Sequence, residues 1–294
     1  MISQGLVLGS QGMLGNDIMR QFSRSGLKVL APSHTELDIT KYGTLRDFFE
    51  IHRPSWVINC VAKHDLQSCE IDFDNAMRIN SEAVENLSEL CLTFDAYFIH
   101  ISTDYVFNGL KGSQYNELDI TDPVNNYGYS KRAGEILALN RNPKACVVRV
   151  AALFGAALSR DKGNFCFVDR MKSKLLAGEE FEVNCDQIIS PTSTFEVAWQ
   201  LEKLIDFQPA GIVHCAGNGF TTWYNLTLEI AKNISVSASK VKMVESLQVP
   251  KDGINRPLNS SLENKRLSEF DLNLMRDWEI ALRFYLKKDP LLNN

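Results

Sequence analysis

A tyrosine and a lysine four residues apart carry the clearest chemistry in this sequence. Tyr127 and Lys131 lie in a run typical of a helix, and their spacing places both side chains on one helical face. A phenol has a reference pKa of about 10, and a neighbouring ammonium lowers that pKa by favouring the phenolate. Thr103 can offer a second hydroxyl to the same oxygen. The pair predicts a proton donor for a developing alkoxide; a chance pair on an exposed helix is the alternative interpretation.

The N-terminus has the pattern of a strand, a glycine turn and a helix. An apolar run precedes glycines spaced G-x-x-G-x-x-G. Such glycines allow a tight turn, a close approach to a pyrophosphate and close packing of helix on strand. The phosphates then lie at the helix N-terminus, where free N–H groups attract anions. A plain strand-to-helix turn is the alternative. The residues predicted to form the dinucleotide site are Gly9, Gln11, Gly12, Met13, Leu14 and Gly15.

The end of the second predicted strand bears on the choice of cofactor. An NAD-selective site usually has an acid about 20 residues past the glycines. Residues 31–34 contain no acid, and Ser33 and His34 offer a hydroxyl and an imidazole instead. These groups suit a 2′-phosphate better than a carboxylate would. We therefore predict NADPH, with NADH as the second candidate; for His34 a solvated loop is the alternative.

Further motifs follow in a fixed order along nearly the whole chain. They are S-T-D-Y-V-F at 102–107, N-Y-G at 126–128, N-F at 164–165, D-Q and S-P-T within 186–192, and R-P-L-N-S at 256–260. With the glycines and the Tyr–Lys pair, they resemble the extended short-chain dehydrogenase/reductases, and more narrowly the dTDP-4-dehydrorhamnose reductase family. The resemblance implies NAD(P)H-dependent reduction of the 4-keto group of a dTDP-linked 6-deoxy sugar, as in dTDP-rhamnose and cell-surface polysaccharide biosynthesis.

The resemblance also implies roles for individual residues. Tyr127 supplies the proton, Lys131 tunes Tyr127 and holds the cofactor ribose, and Thr103 hydrogen-bonds the carbonyl oxygen. Further cofactor contacts are expected from Asp38, Ile39, Cys60, Val61 and Ala62. Substrate contacts are expected from His64, Thr103, Asp104, Ala152, Asn164, Phe165 and, at the pyrophosphate, Arg256.

Two positions depart from the family pattern, and three functional alternatives stay open. Ala152 stands where rhamnose-pathway enzymes have a Trp that lines the sugar pocket, and His64 stands where they have a Thr. Another 4-keto sugar is therefore one alternative. A combined epimerase and reductase is another, with Cys69 as the proton-abstracting thiol, although Val168 replaces the Lys of such relatives. A non-catalytic NADP-binding regulatory subunit is the third, and the intact Thr–Tyr–Lys set argues against it.

Composition argues against several classes of partner. With 31 basic and 36 acidic residues, the formal net charge of −5 argues against nucleic acid or an anionic membrane surface. Seven cysteines without a C-x-x-C pair predict free thiols in a reducing compartment and no metal site. The apolar stretches are too short for a signal peptide or a membrane span. We expect a cytoplasmic protein, and a homodimer.

The order of apolar runs predicts an α/β fold of the Rossmann type, with a doubly wound parallel sheet. The first half has predicted strands at 5–8, 28–30, 56–61, 97–102 and 146–150, and helices at 13–24, 44–52, 73–94 and 127–140. The second half has predicted helices at 164–177, 194–206, 223–234 and 262–270, and strands at 181–183, 211–215 and 241–244. We expect an NAD(P)-binding domain over 1–155 and a smaller substrate-binding lobe over 156–294, with strand 211–215 returning to the main sheet.

Overall fold

The computed structural model describes residues 4–155, 166–246 and 252–287. Its strands are β1 (Gln4–Leu8), β2 (Lys28–Leu30), β3 (Trp56–Asn59), β4 (Tyr97–Thr103), β5 (Cys146–Val150), β6 (Leu153–Phe154), β7 (Phe181–Asn184), β8 (Ile188–Ile189), β9 (Thr192–Ser193), β10 (Gly211–His214), β11 (Thr221–Thr222) and β12 (Val241–Val244). Its α-helices are α1 (Met13–Arg24), α2 (Tyr42–His52), α3 (Leu66–Ile71), α4 (Phe73–Met77), α5 (Ala83–Thr93), α6 (Asn126–Arg141), α7 (Phe167–Leu176), α8 (Thr194–Phe207), α9 (Trp223–Asn233), α10 (Lys265–Glu269) and α11 (Trp278–Leu286).

A parallel sheet of six strands organises the described part of the chain, in the order β10-β5-β4-β3-β1-β2. Strand β1 lies between β2 and β3. The chain therefore adds β2 on one side of β1 and then β3 on the other side. In such a sheet, ligands bind beyond the carboxyl ends of the strands at this switch point. The predicted doubly wound parallel sheet is confirmed, and its binding edge lies at the ends of β1 and β3.

Helices cover both faces of this sheet. On one face, α1 and α8 bury an apolar cluster in which Phe22 packs edge-on against Trp56, with ring centroids 5.5 Å apart. On the other face, α2 and α5 contribute Leu45, Phe49 and Leu87 to a second cluster. Strands that are buried on both faces read as continuous apolar runs. This is why β4 and β5 could be predicted with nearly correct bounds.

Among the predicted bounds that differ from the structure, those of β3 and α10 have local causes. Strand β3 ends at Asn59 rather than at residue 61, because the Asn59 side chain accepts a hydrogen bond from the Val61 N–H at 3.0 Å and turns the chain off the sheet. Helix α10 is shorter than the predicted 262–270, because Leu262 pairs with Tyr115 in an isolated bridge before the helix begins. The pattern also missed the short helix α3 and the helix α11.

The predicted helix 73–94 is three elements: α4, a π-helical turn at Arg78–Glu82, and α5. Asn80 in the π-helical turn donates hydrogen bonds to the Lys63 carbonyl and to the Ser130 hydroxyl, both at 2.9 Å. A Cβ on Gly134 of α6 would lie only 2.0 Å from the Asn80 carbonyl oxygen. Helix α6 is therefore held against the π-helical turn by a contact between two backbones.

The C-terminal residues form a second core around the parallel pair β7 and β12. Helices α7, α9 and α11 cover this pair with buried side chains such as Val168, Ile230 and Leu282. Strand β10 belongs to the same half of the chain but pairs with β5, and α8 packs on α1. The return of this strand to the main sheet is confirmed. Throughout the three described ranges, each helix is too short or too polar to cross a bilayer.

Candidate active site

The turn after β1 is shaped to admit a phosphate. Gly9 has a φ of +77°, a value that favours glycine, and its carbonyl accepts a hydrogen bond from the Gly12 N–H at 3.0 Å. A Cβ on Gly15 would lie 2.2 Å from the Gly9 carbonyl oxygen, so helix α1 begins directly against the strand end. Gly12 is the N-cap, and it lacks a side chain that could cap the helix. This cradle fits the pyrophosphate of a dinucleotide, whose oxygens suit the first N–H groups of α1.

A cleft of about 470 Å³ lies over this turn, between the ends of β1, β2 and β3. That volume is within the usual range for small-molecule sites. The predicted residues that line it are Gly9, Gln11, Gly12, Ser33, His34, Asp38, Ile39, Cys60, Val61 and Ala62. Met13, Leu14 and Gly15 lie in the first turn of α1, behind the lining. Ser10, Thr40, Arg78 and Ile79 also line the cleft and were not predicted.

Two carboxylates beside the cleft are held by their own loop. Glu36 accepts hydrogen bonds from the N–H and the hydroxyl of Ser33, both at 2.7 Å, and these bonds lower the pKa of Glu36. Asp38 accepts hydrogen bonds from the hydroxyl and the N–H of Thr40, at 2.7 and 3.0 Å, and its pKa is lowered in the same way. In this structure the Ser33 hydroxyl, which we expect to bind a 2′-phosphate, thus donates its hydrogen bond to Glu36.

Thr103 and Tyr127 meet where β4 ends and α6 begins. The Thr103 hydroxyl donates to Asp104 at 3.0 Å and accepts the Tyr105 N–H at 3.2 Å. The Tyr127 ring packs edge-on against Tyr105, with centroids 5.9 Å apart. Burial raises the pKa of Tyr127, the Thr103 hydroxyl opposes this rise, and Asp104 adds to it. The Tyr127 side chain is therefore a protonated phenol near neutral pH, which is the form that a proton donor needs.

Lys131 is directed into the sheet. Its side chain is 1% exposed, and Nζ lies 2.7 Å from the Ile101 carbonyl oxygen and 3.1 Å from His100 Nε2. Burial lowers the pKa of Lys131 to about 8, against the opposing effect of Glu135. We expected an ammonium at Lys131 to lower the pKa of Tyr127. That expectation is wrong for this structure, because burial dominates and the pKa of Tyr127 rises.

A buried ion pair lies behind α6. Arg149 donates from Nε and Nη2 to the two carboxylate oxygens of Glu135, at 2.9 and 2.7 Å, and both side chains are 3% exposed. The Ser102 hydroxyl donates to the same carboxylate at 2.5 Å, and His214 Nε2 lies 3.4 Å from Arg149 Nη1. Such a two-bond pair fixes geometry, and the loss of one partner would leave a buried charge. The pair joins β4, β5 and β10 to α6, and no sequence pattern predicted it.

Arg256 lies on the Tyr105 side of the site. Its guanidinium bonds both oxygens of Asp252, at 3.0 and 2.5 Å, and lowers the pKa of Asp252 to about 2. Burial raises the pKa of Tyr105, and the charge of Arg256 opposes that rise. Asn125, the N-cap of α6, donates to the Asn255 carbonyl at 2.9 Å. The segment that carries Arg256 is thus joined to the start of the helix that carries Tyr127.

Ala152 lies at the edge of the C-terminal core. Its φ of +39° is in the left-handed region, which L side chains rarely adopt. It packs against the same core as Phe167 and Trp223, whose rings lie 4.4 Å apart. Trp223 is the first residue of α9, and this contact shows it packed against the core at the helix start. Ala152 and this aromatic pair therefore share one core.

The remaining predicted substrate residues are dispersed. His64 is exposed and lines the cleft described above. The Cys69 thiol is buried and donates to the Lys63 carbonyl at 3.4 Å, and burial raises its pKa. A thiol base needs a lowered pKa, so this environment opposes the epimerase alternative. Asn164 and Phe165 lie outside the described residues.

Comparison with known proteins settles the family. The family described as "RmlD substrate binding domain" matches residues 4–290. The dTDP-4-dehydrorhamnose reductase of Streptomyces griseus is 34% identical over 284 residues, which cover 94% of this chain and 91% of the relative. The chain belongs to the dTDP-4-dehydrorhamnose reductase family.

Other members of this family extend the comparison. The dTDP-4-keto-6-deoxy-D-glucose reductase of Streptomyces niveus is 30% identical over 294 residues, which cover 100% of this chain and 99% of that protein. The dTDP-4-dehydrorhamnose reductase of Bacillus anthracis, solved in complex with NADP, superposes with a TM-score of 0.91 at 27% identity, over 98% of this chain and 100% of that one. The family resemblance drawn from the motifs is confirmed, as is the Rossmann-type fold.

Proposed function

We propose that the protein reduces the 4-keto group of a dTDP-linked 6-deoxy sugar with NADPH. Two relatives named for such reductions match it over nearly their whole length, and a solved relative binds NADP. In this chain, the proposal rests on the meeting of the Thr103 hydroxyl with a protonated Tyr127. Carbonyl reduction creates an alkoxide that must be protonated, and a phenol beside a second hydroxyl suits that task.

The residues of the chain have distinct tasks in this reaction. Tyr127 gives its proton to the carbonyl oxygen, and Thr103 hydrogen-bonds that oxygen as its charge develops. Lys131 stands one helical turn from Tyr127 and holds the ribose. Arg256 exchanges its bond to Asp252 for the substrate pyrophosphate, since a guanidinium pairs two anionic oxygens at once. The other predicted substrate contacts are His64, Asp104, Ala152, Asn164 and Phe165.

NADPH, when bound, supplies the hydride. Its pyrophosphate lies at the start of α1, where the glycines let the turn after β1 pack directly against the helix. Asp38, Ile39, Cys60, Val61 and Ala62 enclose the adenosine half, and Ser33 and His34 meet the 2′-phosphate. Fluorescence titration is expected to show NADPH binding at least as tightly as NADH. A clear preference for NADH would mean that Asp38 or Glu36 meets the ribose hydroxyls instead.

The test is NADPH oxidation with a panel of dTDP-4-keto-6-deoxy sugars, followed by identification of the product. Turnover of at least one sugar to its 4-hydroxy form is expected. Cofactor binding without turnover of any sugar would favour the regulatory alternative. Deuterium taken up from D₂O beside the carbonyl would favour the epimerase alternative.

We also place the protein in the cytoplasm, as a homodimer. All seven cysteines lie in the described ranges as free thiols, which suits a reducing compartment. The homodimer has no support in the geometry above and stays a prediction.

A further inference from the structure

Arg78 brings a positive charge to the cleft over the glycine turn. Among the described residues that line this cleft, Arg78 is the single lysine or arginine. His34 and His64 also line it, but an imidazole is charged only when it is protonated. An arginine is charged at every ordinary pH. Arg78 therefore gives the cleft a permanent positive charge.

The carboxylates of the loop after β2 make the binding of phosphates in this cleft harder. Asp38 lines the cleft, and the hydrogen bonds from Thr40 lower the pKa of that carboxyl. Glu36 lies in the same loop, and the hydrogen bonds from Ser33 lower its pKa as well. Both side chains are therefore carboxylates near neutral pH. A dinucleotide would add the charges of its pyrophosphate, and NADPH would add those of a 2′-phosphate.

The start of α1 balances only part of this negative charge. A helix N-terminus is equivalent to about half a positive charge, and the first N–H groups of α1 can bond the pyrophosphate oxygens. The first turn of α1, over residues 13–16, contains no lysine or arginine. The phosphates of a bound dinucleotide therefore need a further positive charge, and Arg78 can supply it.

The guanidinium of Arg78 is free to make such a contact. Its side chain is exposed, and Nη2 donates a hydrogen bond to Asn75 Oδ1 at 2.8 Å. Asn75 is an uncharged partner, and in the parts of the chain that the structure describes, no carboxylate forms an ion pair with Arg78. A guanidinium has five N–H donors. The bond to Asn75 therefore leaves a pair of N–H groups for the oxygens of a phosphate.

The backbone that carries Arg78 is fixed in place. Arg78 begins the π-helical turn, and turns of this kind are frequent at functional sites. The Asn80 side chain in this turn accepts the Lys63 N–H at 2.8 Å and donates to the Lys63 carbonyl at 2.9 Å. The Ser81 hydroxyl donates to the Ser130 carbonyl on α6 at 2.8 Å. The turn that presents Arg78 to the cleft is thus bonded both to the segment after β3 and to α6.

We propose that Arg78 binds a phosphate group of the dinucleotide. The inference rests on the proposed function, in which NADPH occupies this cleft. NADPH offers two such groups, the pyrophosphate at the glycine turn and the 2′-phosphate at the loop after β2. Gly12 and Ser33, one from each place, line the cleft together with Arg78. A planar guanidinium pairs two phosphate oxygens at once, so Arg78 is a cofactor-binding residue that lies outside the glycine motif.

Fluorescence titration of Arg78→Ala with NADPH and with NADH, in the absence of any sugar, tests the proposal. We expect the Kd of NADPH to rise about tenfold or more, because a charged contact of two hydrogen bonds is lost. An equal rise for NADH assigns the contact to the pyrophosphate. A rise for NADPH alone assigns it to the 2′-phosphate. Unchanged Kd values for both dinucleotides overturn the proposal.

Arg78→Lys and added salt separate a phosphate contact from stacking of the guanidinium on the adenine ring. A lysine keeps the charge but loses the planar fork, so it should recover part of the affinity that Arg78→Ala loses. The difference between the unmodified protein and Arg78→Ala should shrink at about 1 M salt, where the Debye length is about 3 Å. If Arg78→Lys binds as weakly as Arg78→Ala, and salt leaves the difference unchanged, the guanidinium stacks on adenine and the proposal fails.

Arg46→Ala is the matched control, because Arg46 is an exposed arginine on α2 that bonds Glu50 at 3.0 Å and lies outside the cleft lining. It should leave both Kd values unchanged. The titration needs no turnover, so the two proposals can fail separately. Reduction of a 4-keto sugar with unchanged Kd values in Arg78→Ala would contradict the role of Arg78 alone. A raised Kd in Arg78→Ala without reduction of any sugar would contradict the proposed function and support the phosphate contact.

Discussion

The two sides of the crevice differ in what the chain presents to a ligand. On the cofactor side, the turns after β1 and β3 present mainly backbone, with Gly9 and Gly15 so close that a side chain on Gly15 could not fit. On the proposed substrate side, the chain presents side chains from separate segments, such as Tyr127 on α6 and Arg256 beside Tyr105. A backbone surface suits the phosphates of any dinucleotide, whereas a side-chain surface can be altered one residue at a time.

This difference predicts how each side tolerates substitution. A change of an exposed side chain on the substrate side should alter turnover or sugar choice and leave the fold intact. A change on the cofactor side should affect folding and cofactor binding together, because the same atoms form the turn and the site. The predictions below test this contrast, from the largest expected effect to the smallest.

Tyr127→Phe is expected to lower kcat for sugar reduction by about 10²- to 10⁴-fold, because only the proton donor is removed. Cofactor affinity, measured by fluorescence titration, should be unchanged. Tyr129→Phe on the same helix is the control, since Tyr129 is 46% exposed. Retention of most activity in Tyr127→Phe would mean that the proton comes from another group.

Asp104→Asn is expected to stabilise the protein at high pH only. Burial raises the pKa of Asp104 to about 6, from an ordinary value of 3.8. The folded state therefore loses stability relative to the unfolded state as pH rises from about 4 to 6, by up to about 3 kcal/mol. Urea unfolding at pH 8 should show a gain in the free energy of unfolding for Asp104→Asn, and at pH 4 little change.

The exposed Asp122, whose carboxylate accepts the Asn108 side chain, gives the control Asp122→Asn. It should show no such pH dependence. An equal gain for Asp104→Asn at both pH values would show that the buried carboxyl is not the cause.

Gly15→Ala is expected to weaken both folding and NADPH binding, because the added methyl group would meet the Gly9 carbonyl oxygen at 2.2 Å. Overpacking of this kind costs about 1–3 kcal/mol. Gly43→Ala is the matched control, since the space around Gly43 is open to 4 Å. Thermal unfolding should separate the two variants. A Gly15→Ala protein as stable as the control would contradict a backbone-built cofactor side.

The double variant His64→Thr with Ala152→Trp is expected to raise kcat/KM for dTDP-4-dehydrorhamnose about tenfold, because we expect the two departures to make that sugar a poor or secondary substrate of the unmodified protein. A mismatched polar group discriminates more than a missing apolar one, so His64→Thr should contribute the larger part. The positive φ of Ala152 also makes a bulky residue there costly. An unmodified protein with a kcat/KM of about 10⁴ M⁻¹s⁻¹ or more on this sugar would contradict the prediction.

Local signals explain what the sequence could predict. The ends of β2, β5 and α1 were predicted to the residue. Each of these elements has a recognisable pattern of apolar residues and is bounded by turn or cap residues. The glycine turn was predicted because glycines at this spacing are typical of a turn that binds a pyrophosphate. The cleft residues within 31–39 and 60–62 could be predicted because these segments directly follow strands.

Long-range contacts explain what it could not predict. Arg78 enters the cleft from the π-helical turn, where a continuous helix was expected. Glu135 and Arg149 pair across two elements, with no periodic relation between them. The pKa of Tyr127 depends on how deeply the fold buries it, which spacing alone does not reveal. Side-chain positions on the substrate side depend in the same way on loops that meet only in the folded chain.

The close approach of Gly134 to the Asn80 carbonyl has a consequence for how such enzymes diversify. Because two backbones touch there, the helix bearing Tyr127 and the π-helical turn that lines the cleft form one fixed unit. New sugar preferences then arise from the side chains that surround this unit, such as His64, Ala152 and those of the C-terminal half. A graft that keeps residues 4–150 intact should inherit the reductive chemistry, together with the part of the sugar preference that His64 carries.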